Sequence, residues 1–315
     1  IVYNAQSWTR TDYVIVKTAD IGFSAPISVK DEAGTVIPSQ VITDGGVTKL
    51  VFTAEDVPSM GYKEYKVANT AAPVTAGVTA TNGSVISLDN QFCTVKVDKA
   101  TGAITSMFDK TNAKELLSGP GNRIASTTSS PKWWDDCCQF WSHIPSSMPA
   151  TLTYKTPTAV TLVDSGPAVA RVKATYTENG VNWDHYIMLF SKVPVAANRM
   201  VTSNLTKGNE LVVNFPLSPT VSNAAKEWNA GVAFGHHKYV NKAIFTPPQK
   251  WANVSHAAKD YGVALLENNC TIWSFYGVGG ANDLRMVLIA EDTDRWGGHW
   301  SMPVWEMSWG IWGHT

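Results

Sequence analysis

The chain has 315 residues, a formal net charge of -1 and only 16% charged residues, against 13 tryptophans. This length suggests two domains or one very large β-domain. The near-neutral balance leaves no basic field for nucleic acid or an anionic membrane. No apolar run approaches the roughly 20 residues that span a bilayer.

The sequence opens on Ile1 without a signal-peptide pattern, so a processed chain or part of a larger polypeptide is expected. The cysteines, Cys93, Cys137, Cys138 and Cys270, contain no C-x-x-C pair. A zinc ribbon or a thioredoxin-like site is therefore unsupported. Sequons at Asn82, Asn204, Asn253 and Asn269 are candidate glycosylation sites. With the low charge they favour a secreted, lysosomal or vacuolar location.

In chain order, short period-2 runs are punctuated by turn residues, which is the rhythm of an all-β protein. Residues 13–17, 27–31, 49–52 and 63–67 read as strands, with turns at Asp31–Gly34 and Asp44–Gly46. They make residues 1–68 a small immunoglobulin-like sandwich. Residues 69–83, rich in Ala, Thr, Pro and Gly, read as a linker. From Ser84 the strands lengthen. Residues 92–98 and 104–109 form a predicted hairpin, as do 168–176 and 183–190 around Glu178-Asn179-Gly180. Further strands are expected at 211–215, 262–266, 271–276 and 284–290, and two helical turns at 110–117. Residues 84–315 exceed the roughly 100 residues of a seven-stranded sandwich. A large antiparallel supersandwich of the galactose-mutarotase type fits better. It is expected to be incomplete at its C-terminus. Trp296, Trp300, Trp305, Trp309 and Trp312 crowd the last segment, at spacings that do not fit one strand face, so several are expected on turns.

Several motifs, read in order, point to one family. They begin with Val2–Arg10 (VYNAQSWTR), Asp56–Tyr62 (DVPSMGY), and Asn90-Gln-Phe followed by Asp98–Lys110 (DKATGAITSMFDK). Gly121-Asn-Arg, Pro131–Asp135 (PKWWD), Ser165-Gly-Pro167, Phe245–Trp251 (FTPPQKW) and Asp260–Leu266 (DYGVALL) follow. This series resembles the β-half of family 38 glycoside hydrolases, the α-mannosidases. The resemblance implies a chain without the catalytic half, whose zinc ligands and aspartate nucleophile begin with an H-x-D motif that this sequence lacks. The family's W-D-A-W-D is carried only as far as Trp134 and Asp135, with Asp136-Cys137-Cys138 in place of the rest. Expected partners are then a glycan or polysaccharide and an N-terminal catalytic half of the same polypeptide. Zinc is expected in that half and no metal or other cofactor in this chain.

Within the chain, Asp135 and Asp136 are neighbours, whose side chains on a strand point to opposite faces. They do not make the close carboxyl pair a retaining glycosidase needs, so no residue here is assigned a catalytic role. Adjacent His236 and His237, with His256, His299 and His314, lack zinc-ligand spacing. His236, Tyr239, Arg285 and Glu306 offer acid/base groups for a concave sheet. The tryptophans suit either core packing or stacking on sugar rings. Candidate glycan-contact or cleft-rim residues are Trp134, Asp135, His236, Arg285, Trp300 and Trp305. Three functions stay open: the β-half of an α-mannosidase-like hydrolase, a free-standing carbohydrate-binding or extracellular matrix protein, and a polysaccharide lyase or epimerase.

Overall fold

The structure is a computed structural model that describes residues 1–71, 75–127, 152–178, 180–203, 211–219, 228–232, 235–239, 244–246, 251–255, 260–268, 272–276, 283–289 and 304–315. Within them the chain is almost entirely antiparallel β-structure. No helix among them is long and apolar enough to cross a membrane.

The small sandwich pairs Arg10–Lys17, Val47–Val57 and Ser39–Asp44 in one sheet, and Val36–Ile37, Ser28–Lys30 and Lys66–Ala68 in another. Between them lie Val29, Ile37, Leu50, Phe52, Ala54 and Val57. Gly45 and Gly46 carry φ of 57° and 76°, so the two-residue turn between Asp44 and Val47 takes the left-handed backbone that suits the twist of a tight hairpin. Residues 63–67, read as one strand, are split. Gly61–Lys63 pairs with Val2–Asn4, whereas Lys66–Ala68 joins Ser28–Lys30 in a different sheet. A single helical turn, Thr18–Ile21, went unread.

The large sandwich has three sheets. A five-stranded meander runs Val78–Asn82, Val85–Asn90, Cys93–Asp98, Ile104–Asp109 and Lys114–Glu115. Its first strand lies inside the stretch read as a linker. Val78 is buried there and pairs with Asn90, so the sheet begins before Ser84. A six-stranded sheet is ordered Leu152–Tyr154, Arg123–Thr127, Leu211–Pro216, Asp283–Ile289, Ile272–Tyr276 and Ile244–Thr246. Isolated bridges Ile104–Gly121 and Leu117–Leu217 tie it to the meander. A nine-stranded sheet is ordered Ala159–Ser165, Val169–Glu178, Val181–Phe190, Ala196–Ser203, Val304–His314, Gly262–Asn268, Trp251–Ser255, Trp228–Val232 and Gly235–Tyr239. Alternate residues of all three sheets share one core that includes Leu88, Val95, Val172, Ile187, Val213, Phe215, Met286, Trp309 and Ile311.

Two expectations fail locally. Residues 110–117 are not helical. The Asp109 carboxylate accepts from the backbone N–H of Thr111 and Asn112, and Ala113 sits at φ 52°. Lys114–Glu115 then closes as a strand while Glu115 accepts from Met107 N–H. The Asp109 carboxylate caps a single turn, and the left-handed Ala113 ends it before a helix can continue. Nor do the described tryptophans of the last segment sit on turns, Trp296 and Trp300 lying outside the described residues. Trp305, Trp309 and Trp312 all belong to Val304–His314, which runs between Ala196–Ser203 and Gly262–Asn268.

The small sandwich docks on the outer face of the nine-stranded sheet. Ile42 and Val51 pack against Val169, Met188, Phe190, Val193 and Ala197. Tyr13 stacks on Phe190 with ring centroids 3.9 Å apart. Burying a side chain such as Phe190 contributes roughly 2 kcal/mol. Thr53 Oγ1 donates to Ser191 carbonyl oxygen at 2.6 Å, and Val169 N–H donates to Gln40 Oε1 at 3.1 Å.

Candidate functional site

The outer face of the six-stranded sheet carries a polar row beside an apolar cluster of Ala125, Val212, Leu152 and Tyr154. Arg123 pairs in register with Asn214, Asn214 with Arg285, and Arg285 with Ser274. Ile124, Val213 and Met286, one residue along, are fully buried in the core. Strand alternation therefore sends Arg123, Asn214 and Arg285 to the opposite face as a row.

The strand that carries Arg123 is anchored by its neighbour. Asn122 sits at φ 56°, a left-handed conformation that Asn tolerates. Its N–H donates to Asn214 carbonyl oxygen at 2.6 Å. Inside the core its Nδ2 donates to Asn198 Oδ1 at 2.7 Å and its Oδ1 accepts from Trp309 Nε1 at 3.0 Å. His185, fully buried, donates through Nε2 to the same Asn198 oxygen at 3.3 Å and lies against Trp309. Burial lowers the His185 pKa to about 4, so the ring is neutral at ordinary pH. These groups tie the two layers together behind the row.

Within the row, Arg285 Nε donates to Asp283 Oδ2 at 2.8 Å, and Asn214 Nδ2 donates to Asp283 Oδ1 at 3.3 Å. Burial pushes the Asp283 carboxyl up, against the pull of the Arg285 charge. The Arg123 guanidinium lies 3.7 Å above the Tyr154 ring, a cation–π stack. Burial raises the Tyr154 phenol as well. Asn214 and Arg285 are only 3% and 6% exposed, so their geometry is fixed before any ligand arrives. The row thus brings together two guanidinium groups, an amide, a carboxyl and the Tyr154 ring. Asp283 is the one carboxylate this group holds among the described residues.

Of the residues proposed from sequence, Arg285 belongs to this face. His236 and Trp305 lie on strands of the nine-stranded sheet, His236 on its edge strand and Trp305 in register with Thr202. Glu306 and Tyr239 are on that sheet too, so the set His236, Tyr239, Arg285 and Glu306 is divided between two sheets. Glu306 is exposed and pairs with Arg199 Nε at 2.9 Å. Trp134, Asp135 and Trp300, with Asn204 and Asn269, lie outside the described residues. Asn82 is exposed beside the turn into Val85–Asn90. Asn253 is mid-strand, accepting from His314 Nε2 at 2.8 Å and donating to Ser255 Oγ at 3.0 Å. Sequence reasoning missed Arg123, Tyr154, Asn214 and Asp283. Only Asn214, a lone amide between Val213 and Phe215, left a local signal.

Zinc, implied by the family resemblance, finds no ligand set here: no group of three or more His, Cys, Asp or Glu side chains converges among the described residues.

Residues 88–289 match the model for the glycosyl hydrolases family 38 C-terminal domain. Two solved structures are similar over 99% of this chain. One is an α-mannosidase from Enterococcus faecalis V583, at 12% identity and a TM-score of 0.66. The other is a glycosyl hydrolase family 38 protein from Enterococcus faecalis, at 13% identity and a TM-score of 0.67. At such identity the likeness speaks for the fold. This chain spans 42% and 44% of the length of those two proteins. No curated protein matches it in sequence. With the family model matched over well more than half its length, the chain belongs to glycosyl hydrolase family 38, whose C-terminal domain it carries.

Proposed function

We propose that the chain is the β-half of an α-mannosidase-like hydrolase that cleaves α-mannosidic bonds in glycans. The carrying observation is the family 38 C-terminal match over 88–289. Similarity of the whole chain to under half of an α-mannosidase supports the same reading. In it, hydrolysis is zinc-dependent and retaining, and the nucleophile, the acid/base and the zinc ligands belong to a catalytic half outside these 315 residues. This chain braces that half, and the Arg123–Asn214–Arg285 face takes part in holding the glycan. The sequons support a secreted, lysosomal or vacuolar setting, with Asn82 an exposed acceptor among the described residues.

The test is to join this chain to the catalytic half of its parent and assay aryl α-mannosides. Turnover that is lost to a chelator, restored by zinc and proceeds with retained anomeric configuration is expected. A parent with no such activity, or one that inverts, would overturn the reading. The lyase or epimerase alternative needs His236, Tyr239, Arg285 and Glu306 together, whereas Arg285 stands in the six-stranded sheet and the other three in the nine-stranded sheet.

A further inference from the structure

Large apolar side chains stand out from the small sandwich at one corner. Ile1, Tyr3, Trp8, Met60 and Tyr62 are 51% to 80% exposed, whereas no other large apolar side chain among the described residues exceeds 43%. The corner forms where Val2–Arg10 and Asp56–Tyr62, far apart in sequence, come together. Tyr3 and Tyr62 are register partners in the ribbon of Val2–Asn4 and Gly61–Lys63, and their rings stack with centroids 6.0 Å apart. Val2 packs against the sandwich core and Asn4 is buried, so strand alternation sends Tyr3 outwards between them.

The frame beneath these side chains is fixed. Asn4 Nδ2 donates to the carbonyl oxygen of Trp8 at 2.7 Å and to those of Val57 and Pro58 at 3.1 Å, while Asn4 Oδ1 accepts from Gln6 N–H at 3.0 Å. Met60, held at φ 49°, donates its N–H to Gln6 carbonyl oxygen at 2.9 Å. One buried amide thus ties the loop of Trp8 to the turn of Met60. Scattered apolar side chains on a surface need no explanation, but a cluster of them marks an interaction site. Tyr, Trp and Met are the residue types enriched at protein interfaces, and anchors fixed beforehand lose little entropy on docking.

We infer that this corner is the surface on which the catalytic half docks. The inference rests on the hydrolase reading, in which that half precedes Ile1. The connecting chain then enters the small sandwich inside the cluster, and tethering holds the two surfaces together at an effective concentration on the order of millimolar. The similar α-mannosidase has more than half of its length outside the part that this chain covers. The complementary surface is apolar, with acceptors for the phenol and indole donors.

The test is hydroxyl-radical footprinting of the intact parent polypeptide, read by mass spectrometry. Tyr3 and Tyr62 are 72% and 51% exposed and Tyr13 only 38%, so an open corner makes the first two the more reactive phenols. Docking reverses that order: Tyr3 and Tyr62 should be oxidised at least about threefold more slowly than Tyr13, because an interface core excludes water. Trp8→Ser combined with Tyr62→Ser should speed limited proteolysis between the halves about tenfold, the factor that goes with a lost anchor. Val163→Ser, at another exposed position, should leave it unchanged. Tyr3 and Tyr62 more reactive than Tyr13 in the intact monomer, or proteolysis indifferent to the double change, would overturn the inference. So would shielding that appears only with added oligomannoside, the mark of a sugar platform, or only as concentration rises, the mark of a second copy. A native polypeptide with nothing ahead of Ile1 overturns it too. Footprinting needs no turnover. A parent shielded at this corner but inactive on mannosides therefore loses only the hydrolase reading, and an active parent with an open corner loses only the docking.

Discussion

Asp44 and Arg199 are 155 residues apart in sequence and meet at 2.5 Å, Oδ2 to Nη1, across the junction between the two sandwiches. Lys49 reaches the same oxygen at 2.7 Å, and Arg171 Nη1 stands 3.3 Å from Oδ1. Arg171 also donates to Thr43 carbonyl oxygen at 2.9 Å and to Asp164 at 2.6 Å. One nearly buried carboxylate from a hairpin of the small sandwich therefore gathers cations from the outer face of the large one.

Asp44→Asn leaves those cations without their anion. Breaking a buried pair by removing one partner costs roughly 3 kcal/mol, so chemical unfolding of this variant should show a loss of that size. Burial pushes the Asp44 carboxyl up, but hydrogen bonds and charge from Lys49 and Arg199 outweigh it and hold the carboxyl below its usual range. Its contribution is thus present above the ordinary Asp value, near 4, and lost as pH falls below it. The gap between the two proteins should narrow under strongly acid conditions.

His185 works in a different window. Its folded pKa, lowered to about 4, sits below the ordinary value of about 6.5 because burial disfavours the charged ring. The unfolded chain binds the proton first, so stability falls as pH drops from 6.5 towards 4, by roughly 3 kcal/mol in all. Urea unfolding as a function of pH should show this slope, and His185→Gln should lack it.

Gly102 closes the turn after Cys93–Asp98 at φ 68°, and a Cβ there would meet Tyr176 hydroxyl at 3.1 Å and Ala174 Cβ at 3.3 Å. Gly102→Ala therefore combines left-handed strain with crowding and should cost about 1–2 kcal/mol. Gly34, also left-handed at φ 84°, has nothing within 4 Å of such a Cβ. Gly34→Ala should cost less, and differential thermal unfolding compares the two.

On the polar sheet face, Arg123→Lys keeps the charge but gives up the planar stack on Tyr154. In the joined parent this should raise KM for a mannoside several-fold and leave kcat nearly unchanged, the pattern of lost ground-state binding. A fall in kcat alone would argue that the face does not hold the ground-state glycan.

Much of this protein was written locally. Alternation in 92–98 and 104–109 identified a hairpin that forms, because period-2 burial needs only two faces and a turn. The Gly residues in Asp44-Gly45-Gly46 and Glu178-Asn179-Gly180 marked turns for the same local reason: only certain residues take positive φ without strain. The ordered motifs from Val2 to Leu266 pointed to the family without any contact being known. What could not be read depended on partners far along the chain. Residues 110–117 have a helical composition, but the left-handed Ala113 ends the first turn, and the Asp109 carboxylate that caps that turn is fixed by Tyr261, 152 residues away. The spacing of the last five tryptophans suggested that several sit on turns, whereas Trp305, Trp309 and Trp312 share a strand that flanking strands place in the middle of a nine-stranded sheet. The sequence by itself determined an all-β, two-sandwich, family 38 chain. Tertiary structure alone decided that Arg123, Asn214 and Arg285 stand in one row, because register between strands is set by the packing of a whole layer and not by any one strand's own residues.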